Sequence, residues 1–123
     1  MFKCTQGKGF EISFPNGLTA SVQWGPLDPC SNDIDLRAAE ELQQLGFIRD
    51  CSCENAAISC YLTASGRNVP PFQFLPDAFK GLFTGSFADA PIRTSNTIGF
   101  LPTLGVVQFL CAVGNAKLED VTT

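Results

Sequence analysis

Apolar and polar residues alternate along two short runs near the start of the chain, residues 10–14 and 18–24. A period of two is typical of strands with one buried face. A two-residue turn between the runs would set the apolar row of one strand against the polar row of the other. A three-residue turn at 15–17 (Pro-Asn-Gly) pairs Phe14 with Leu18 and brings both apolar rows to one face. The pattern therefore predicts a β-hairpin with the three-residue turn.

Two further elements follow from the periodicity. Apolar residues alternate with polar ones in residues 57–63, which predicts a strand. Residues 104–113 are apolar on nearly every side apart from Gln108, which predicts a C-terminal helix covered on most of its surface.

The rest of the chain gives weaker indications of secondary structure. An aspartate able to act as N-cap precedes a predicted helix over residues 35–45. Residues 69–75 suit a return strand, but Pro70 and Pro71 cannot donate ladder hydrogen bonds, so this strand should be irregular or lie at an edge. Residues 77–83 predict a short helix.

These elements predict an α+β fold: a small antiparallel sheet with an N-terminal β-hairpin, packed against a C-terminal helix. A chain of 123 residues that is 45% hydrophobic can bury its own core, and we expect a single domain over residues 1–123. We find no signal-peptide pattern, and glycines and a proline interrupt the apolar stretch 94–116. We therefore expect a cytoplasmic protein with no membrane partner.

Charge and residue types restrict the chemistry. The net charge is −4 and the Lys and Arg residues are scattered, so nucleic acid is an unexpected partner. The chain contains no histidine, which removes the Ser-His-Asp and Cys-His nucleophile systems. No glycine-rich phosphate-binding loop is present. We therefore expect a protein that is not an enzyme and that uses no cofactor.

Four of the six cysteines, Cys30, Cys51, Cys53 and Cys60, are candidate ligands of a four-thiolate zinc site. Their spacing lacks the usual C-x2-C pair, and free cysteine often packs in a core as a small hydrophobe. Buried free thiols are therefore the preferred interpretation, and a small zinc-binding module is the less favoured one.

The loop after the hairpin is the first candidate for a partner-binding surface. It combines the only tryptophan of the chain, Trp24, with Asp28, Cys30 and Asn32, and its two prolines stiffen it. Stiff loops with an aromatic anchor are typical of recognition sites. The alternative is that Trp24 continues the apolar row of residues 18–22 into the core, and the register of the hairpin favours it.

A phenylalanine-rich stretch is the second candidate surface. Its members are Phe72, Phe74, Phe79, Phe83 and Phe87. If these rings are exposed, they mark an oligomer or partner interface. Phe79 and Phe83 are the residues predicted to contribute most directly.

Five short motifs follow one another along the chain: Asn16-Gly17, Ser21-Val22-Gln23-Trp24-Gly25-Pro26, Cys30-Ser31-Asn32, Asn55-Ala56-Ala57-Ile58 and Gly99-Phe100-Leu101-Pro102. Their order resembles that of small uncharacterised proteins encoded by tailed phages and their bacterial hosts, most closely over residues 8–32. Ala57 stands where that pattern has an acidic residue, and residues 67–97 look like an insertion. The resemblance implies a phage-type context and no enzymatic role.

The leading hypothesis is a non-enzymatic phage-type accessory protein that binds a host protein or a small molecule in the host cytoplasm. The alternative is a virion structural or decoration subunit that self-assembles through the phenylalanine-rich stretch. A zinc-binding module is the third.

Overall fold

The computed structural model describes residues 1–4, 9–24, 53–77, 92–93 and 96–123. Within them, seven strands form one antiparallel sheet. The strands are β1 (Phe2–Cys4), β2 (Gly9–Ser13), β3 (Leu18–Gln23), β4 (Asn55–Leu62), β5 (Asn68–Val69), β6 (Ile92–Arg93) and β7 (Ile98–Pro102). Their spatial order is β1-β2-β3-β4-β7-β6, with β5 also paired to β4. The predicted helices at 35–45 and 77–83 lie outside the described residues, apart from Asp77.

The N-terminal hairpin has the predicted register. Phe10 lies opposite Val22, and the pairing continues residue by residue to leave 15–17 as the turn. Gly17 has φ of 92°, the left-handed conformation that glycine adopts without steric cost. Matching the apolar faces of the two strands was therefore sufficient to predict this turn.

Strand β4 is central because both of its edges are paired. Strand β3 covers one edge, whereas β7 and then β5 share the other. The return strand predicted for 69–75 is wrong beyond its first residue: β5 ends at Val69 and a 3-10 helix, Pro71–Phe74, follows. Because Pro70 and Pro71 have no N–H to donate, the ladder stops there.

A β-bulge between β4 and β7 shifts their register between Ala56 and Ile58. On β7, Phe100 has φ of 55°, a left-handed conformation that is rare for a bulky side chain. Helix α1 (Thr103–Asn115) follows β7 without a loop, since Pro102 is both the end of the strand and the N-cap. The chain therefore turns from sheet to helix at a single residue.

The core lies between one face of the sheet and α1, which contacts β3, β4 and β7. Its fully buried members include Leu18, Ile58, Cys60, Leu101, Phe109 and Val113. The α+β fold with a hairpin, an antiparallel sheet and a C-terminal helix is therefore confirmed.

The expectation that α1 is covered on most sides is wrong for one stripe. Leu104 is 61% exposed and Val107 is 50% exposed, and Cys111 on the same side is also exposed. These positions are separated by three and four residues, so they share a helix face that points away from the sheet. The apolar composition of α1 exceeds what packing against one sheet face requires.

Helix α1 has 13 residues, and none of the helices in the described ranges is long and apolar enough to cross a membrane.

Candidate functional site

A cleft of about 320 Å³ opens at one end of the sheet, where β2, β3, β4 and β7 meet the first turn of α1. Its deepest lining residues, Val22, Ala56 and Leu101, are buried core residues. The half-buried Val106 adds an apolar side chain from α1. The interior of the cleft is thus an extension of the apolar core that remains open.

Two aromatic rings form one wall of this cleft. Phe10 is directly opposite Val22, and Trp24 comes two residues later on the same face, so Phe10 and Trp24 are diagonal neighbours. Their ring centroids are 6.0 Å apart at an interplanar angle of 66°, an edge-to-face arrangement. Both rings are half-buried and pack against the core. Trp24 therefore continues the apolar row and also presents part of its surface to the cleft.

Close backbone packing fixes the position of this wall. A Cβ on Gly9 would overlap the carbonyl oxygen of Val22 and the side chain of Gln23. Only glycine allows β2 to approach β3 this closely beside Phe10. The separation of β2 and β3 at the cleft thus depends on a residue that has no side chain.

Polar groups lie at the outer part of the cleft. Glu54 and Thr103 are exposed, and Cys53 and Asn55 are half-buried. The Cys53 thiol donates to Oδ1 of Asn55 over 3.7 Å. Glu54 is the only residue with a full charge among the described residues that line the cleft. The site thus combines an apolar interior, an aromatic wall and one carboxylate at the entrance.

Of the six residues predicted to bind a partner, the structure places only Trp24. Asp28, Cys30, Asn32, Phe79 and Phe83 lie outside the described residues. Trp24 packs against the core, as the hairpin register favours, and it also borders an open cleft. Its role in binding a partner stays a prediction.

Two members of the phenylalanine-rich stretch belong to the core. Phe74 is 7% exposed and makes an edge-to-face contact with Phe109, with centroids 6.2 Å apart. Phe72 is half-buried and packs against the same core. Phe74 is therefore unavailable as an assembly surface, and so is the part of Phe72 that packs against the core.

The proposed cysteine cluster does not form between Cys53 and Cys60. Cys53 borders the cleft, whereas Cys60 lies near the other end of β4, opposite Ala20. At about 3.3 Å per residue, the five steps from Asn55 to Cys60 alone span about 17 Å. Thiolates that share a zinc ion each lie about 2.3 Å from it, so these two cannot be ligands of one ion. Cys30 and Cys51 lie outside the described residues.

Cys60 is a core residue. It is completely buried, and burial raises the pKa of its thiol from 9.0 to about 12. A thiol held neutral in this way is a poor nucleophile and a poor metal ligand. Within the described part of the chain, no group of three or more His, Cys, Asp or Glu side chains could hold a metal ion.

Sequence reasoning did not identify most of the cleft. The hairpin register already brings Phe10 beside Trp24, so that neighbour could have been found. The contributions of residues 53–56 and of Thr103 and Val106 depend on how β4 and β7 pair, and no local pattern specifies that pairing.

Comparison of the chain with protein-family models, curated proteins and solved structures finds no match.

Proposed function

We propose that this protein is a non-enzymatic, phage-type accessory protein that acts by binding, and that the cleft beside Trp24 is its binding site. The observation that carries the proposal is the half-buried pair Phe10 and Trp24, which forms one wall of an open cleft with an apolar interior. Aromatic and apolar linings with a few polar groups are typical of ligand sites. The phage-type context rests on the order of the sequence motifs.

The size of the cleft favours a small ligand or one inserted side chain. Ligand pockets commonly have about 300–1,000 Å³, so 320 Å³ is at the lower end of that range. A small molecule or one side chain of a host protein fits this volume, whereas a folded segment does not.

A larger side chain on α1 that fills the cleft tests this proposal. Val106 lines the cleft and is half-buried, whereas the adjacent Val107 is 50% exposed and lies outside the lining. We expect Val106→Phe to abolish the binding of small neutral aromatic probes such as 2-phenylethanol. Val107→Phe, the matched control, should leave binding unchanged.

Amide chemical shifts provide the readout. In the unmodified protein, addition of 2-phenylethanol should perturb the amides of residues 22–24 and 53–56. Perturbations that lie elsewhere, or that persist undiminished in Val106→Phe, would show that the cleft is not the site.

The alternative of a self-assembling virion subunit makes a different prediction. A subunit of this kind should form larger species as concentration rises, and sedimentation measurements detect them directly. Because Phe74 is in the core and Phe72 packs against it, assembly through the phenylalanine-rich stretch would have to use its other members, Phe79, Phe83 and Phe87, which lie outside the described residues. A chain that stays monomeric at high concentration and binds the aromatic probes supports the binding function instead.

A further inference from the structure

Among the described residues that line the cleft, the charge at the entrance has one sign. The Glu54 carboxylate is exposed there and makes no ion pair with a described residue. Neither Lys nor Arg appears among the described residues that line the cleft. The whole chain carries a net charge of −4, so the surrounding field also attracts cations.

The aromatic wall of the cleft also favours a cation. The face of a tryptophan ring carries negative electrostatic potential and is the best aromatic partner for an ammonium group. Trp24 is half-buried beside Phe10, so part of its surface faces the cleft while the rest is held by the core. Glu54 and Trp24 border the same cleft, one with a carboxylate and one with an aromatic ring.

The N-terminus of helix α1 favours an anion instead. Helix α1 begins at Thr103 on the cleft, and the N-terminus of a helix carries roughly half a positive charge. That partial charge is smaller than the full charge of the Glu54 carboxylate. Taken together, the described groups at the entrance therefore favour a cation.

We infer that the natural ligand of the cleft is a small organic ammonium ion: an apolar, preferably aromatic body that enters the interior, with a cationic head at Glu54. This inference rests on the proposed binding function and specifies its ligand class. The apolar body would replace water against Val22, Ala56 and Val106, and the head would remain partly hydrated at the entrance.

Three probes of similar shape separate the effect of ligand charge on affinity from the effect of ligand shape: 2-phenylethylammonium, 2-phenylethanol and 3-phenylpropionate. Since Trp24 is the only tryptophan in the chain, its fluorescence reports directly on the cleft. We expect the cation to bind about five- to tenfold more tightly than the neutral alcohol, and the anion to bind most weakly. The preference for the cation should shrink in high salt.

Glu54→Gln tests the role of the carboxylate and keeps the shape of the side chain. It should remove most of the preference for the cation, leaving the part that the Trp24 ring supplies, and should leave the affinity for the alcohol unchanged. Glu119→Gln is the matched control, because it makes the same change in net charge at an exposed residue of the C-terminal 3-10 helix, Leu118–Asp120. This control should retain the cation preference.

The outcomes separate the two proposals. Equal binding of cation and alcohol overturns the ammonium inference but supports the cleft as a site. Preference for the anion also overturns the inference, and it would show that the helix N-terminus, not Glu54, determines which charge the entrance binds. Tighter binding of N-acetyl-lysine methylamide than of 2-phenylethylammonium would overturn the small-molecule ligand. It would identify the ligand as a lysine side chain of a protein partner. Failure of all probes would overturn both the inference and the proposed site.

Discussion

The side chain of Asn16 joins the tip of the hairpin to the end of helix α1. Its Nδ2 donates to the carbonyl oxygens of Val113 at 2.7 Å and Ala116 at 2.9 Å. Its Oδ1 accepts from the backbone N–H of Leu18 at 3.1 Å, within the turn. One residue thus stabilises the turn and donates to two carbonyl groups at the end of the helix, where regular helical donors are no longer available.

Replacement by alanine removes all three hydrogen bonds. Each is worth about 1 kcal/mol net, with a further cost when a partly buried carbonyl loses its partner. The Val113 carbonyl keeps a second donor, the N–H of Ala116 at 3.3 Å, which moderates the loss. We expect Asn16→Ala to lower the free energy of unfolding by about 2–3 kcal/mol.

Asn16→Asp distinguishes the turn from the helix cap. Aspartate keeps the acceptor for Leu18 and suits the turn, but it places carboxylate oxygens against two carbonyl oxygens at the negative end of the helix dipole. We therefore expect a larger loss than for alanine, about 3–4 kcal/mol.

The control is Asn115→Ala. It removes an exposed side-chain bond to the Cys111 carbonyl, 2.8 Å long, at the same end of α1, and should cost less than about 1 kcal/mol. Urea unfolding followed by circular dichroism measures all three variants. If Asn16→Asp is milder than Asn16→Ala, the residue serves mainly the turn and the proposed cap on α1 is refuted.

Two further predictions concern Cys60 and Gly114. Because burial raises the folded-state pKa of Cys60 to about 12 from 9.0, the unfolded state loses this proton first as pH rises. The stability that this thiol contributes is therefore complete below pH 9 and is lost towards pH 12, so the wild-type protein should lose about 1.4 kcal/mol per pH unit relative to Cys60→Ala above pH 9. Equal slopes in urea unfolding at these pH values would contradict this, and Tyr61, whose pKa is also raised, is common to both proteins. A Cβ on Gly114 would lie 2.9 Å from Cε1 of Phe14, so Gly114→Ala should cost about 1 kcal/mol despite the better helix propensity of alanine. In a Phe14→Leu background the same change should become neutral or stabilising, and thermal unfolding that shows the same loss in both backgrounds would refute the ring contact.

The contrast between Asn16 and Gly17 shows how far local patterns extend. Both were recognised as turn residues, because the alternation on either side leaves room for a three-residue turn alone. The contacts of Asn16 with Val113 and Ala116 join positions that are 97 and 100 residues apart, and no periodic pattern records such a pairing. The cleft has the same origin, since Trp24, Glu54 and Thr103 come from three separate parts of the chain.

The sequence by itself determined those elements whose formation depends only on the pattern of their own residues. The hairpin register follows from matching two apolar faces, and the C-terminal helix follows from an apolar segment without strand alternation. The two prolines predicted an irregular or edge strand over 69–75, but not that β5 ends at Val69. Tertiary structure alone decided that β4 pairs with β7 through a bulge, that α1 leaves Leu104 and Val107 exposed, and that an open cleft remains beside Trp24. The physical reason is that periodicity records which face of an element is apolar, whereas a cleft depends on how several such faces fail to fill the space between them.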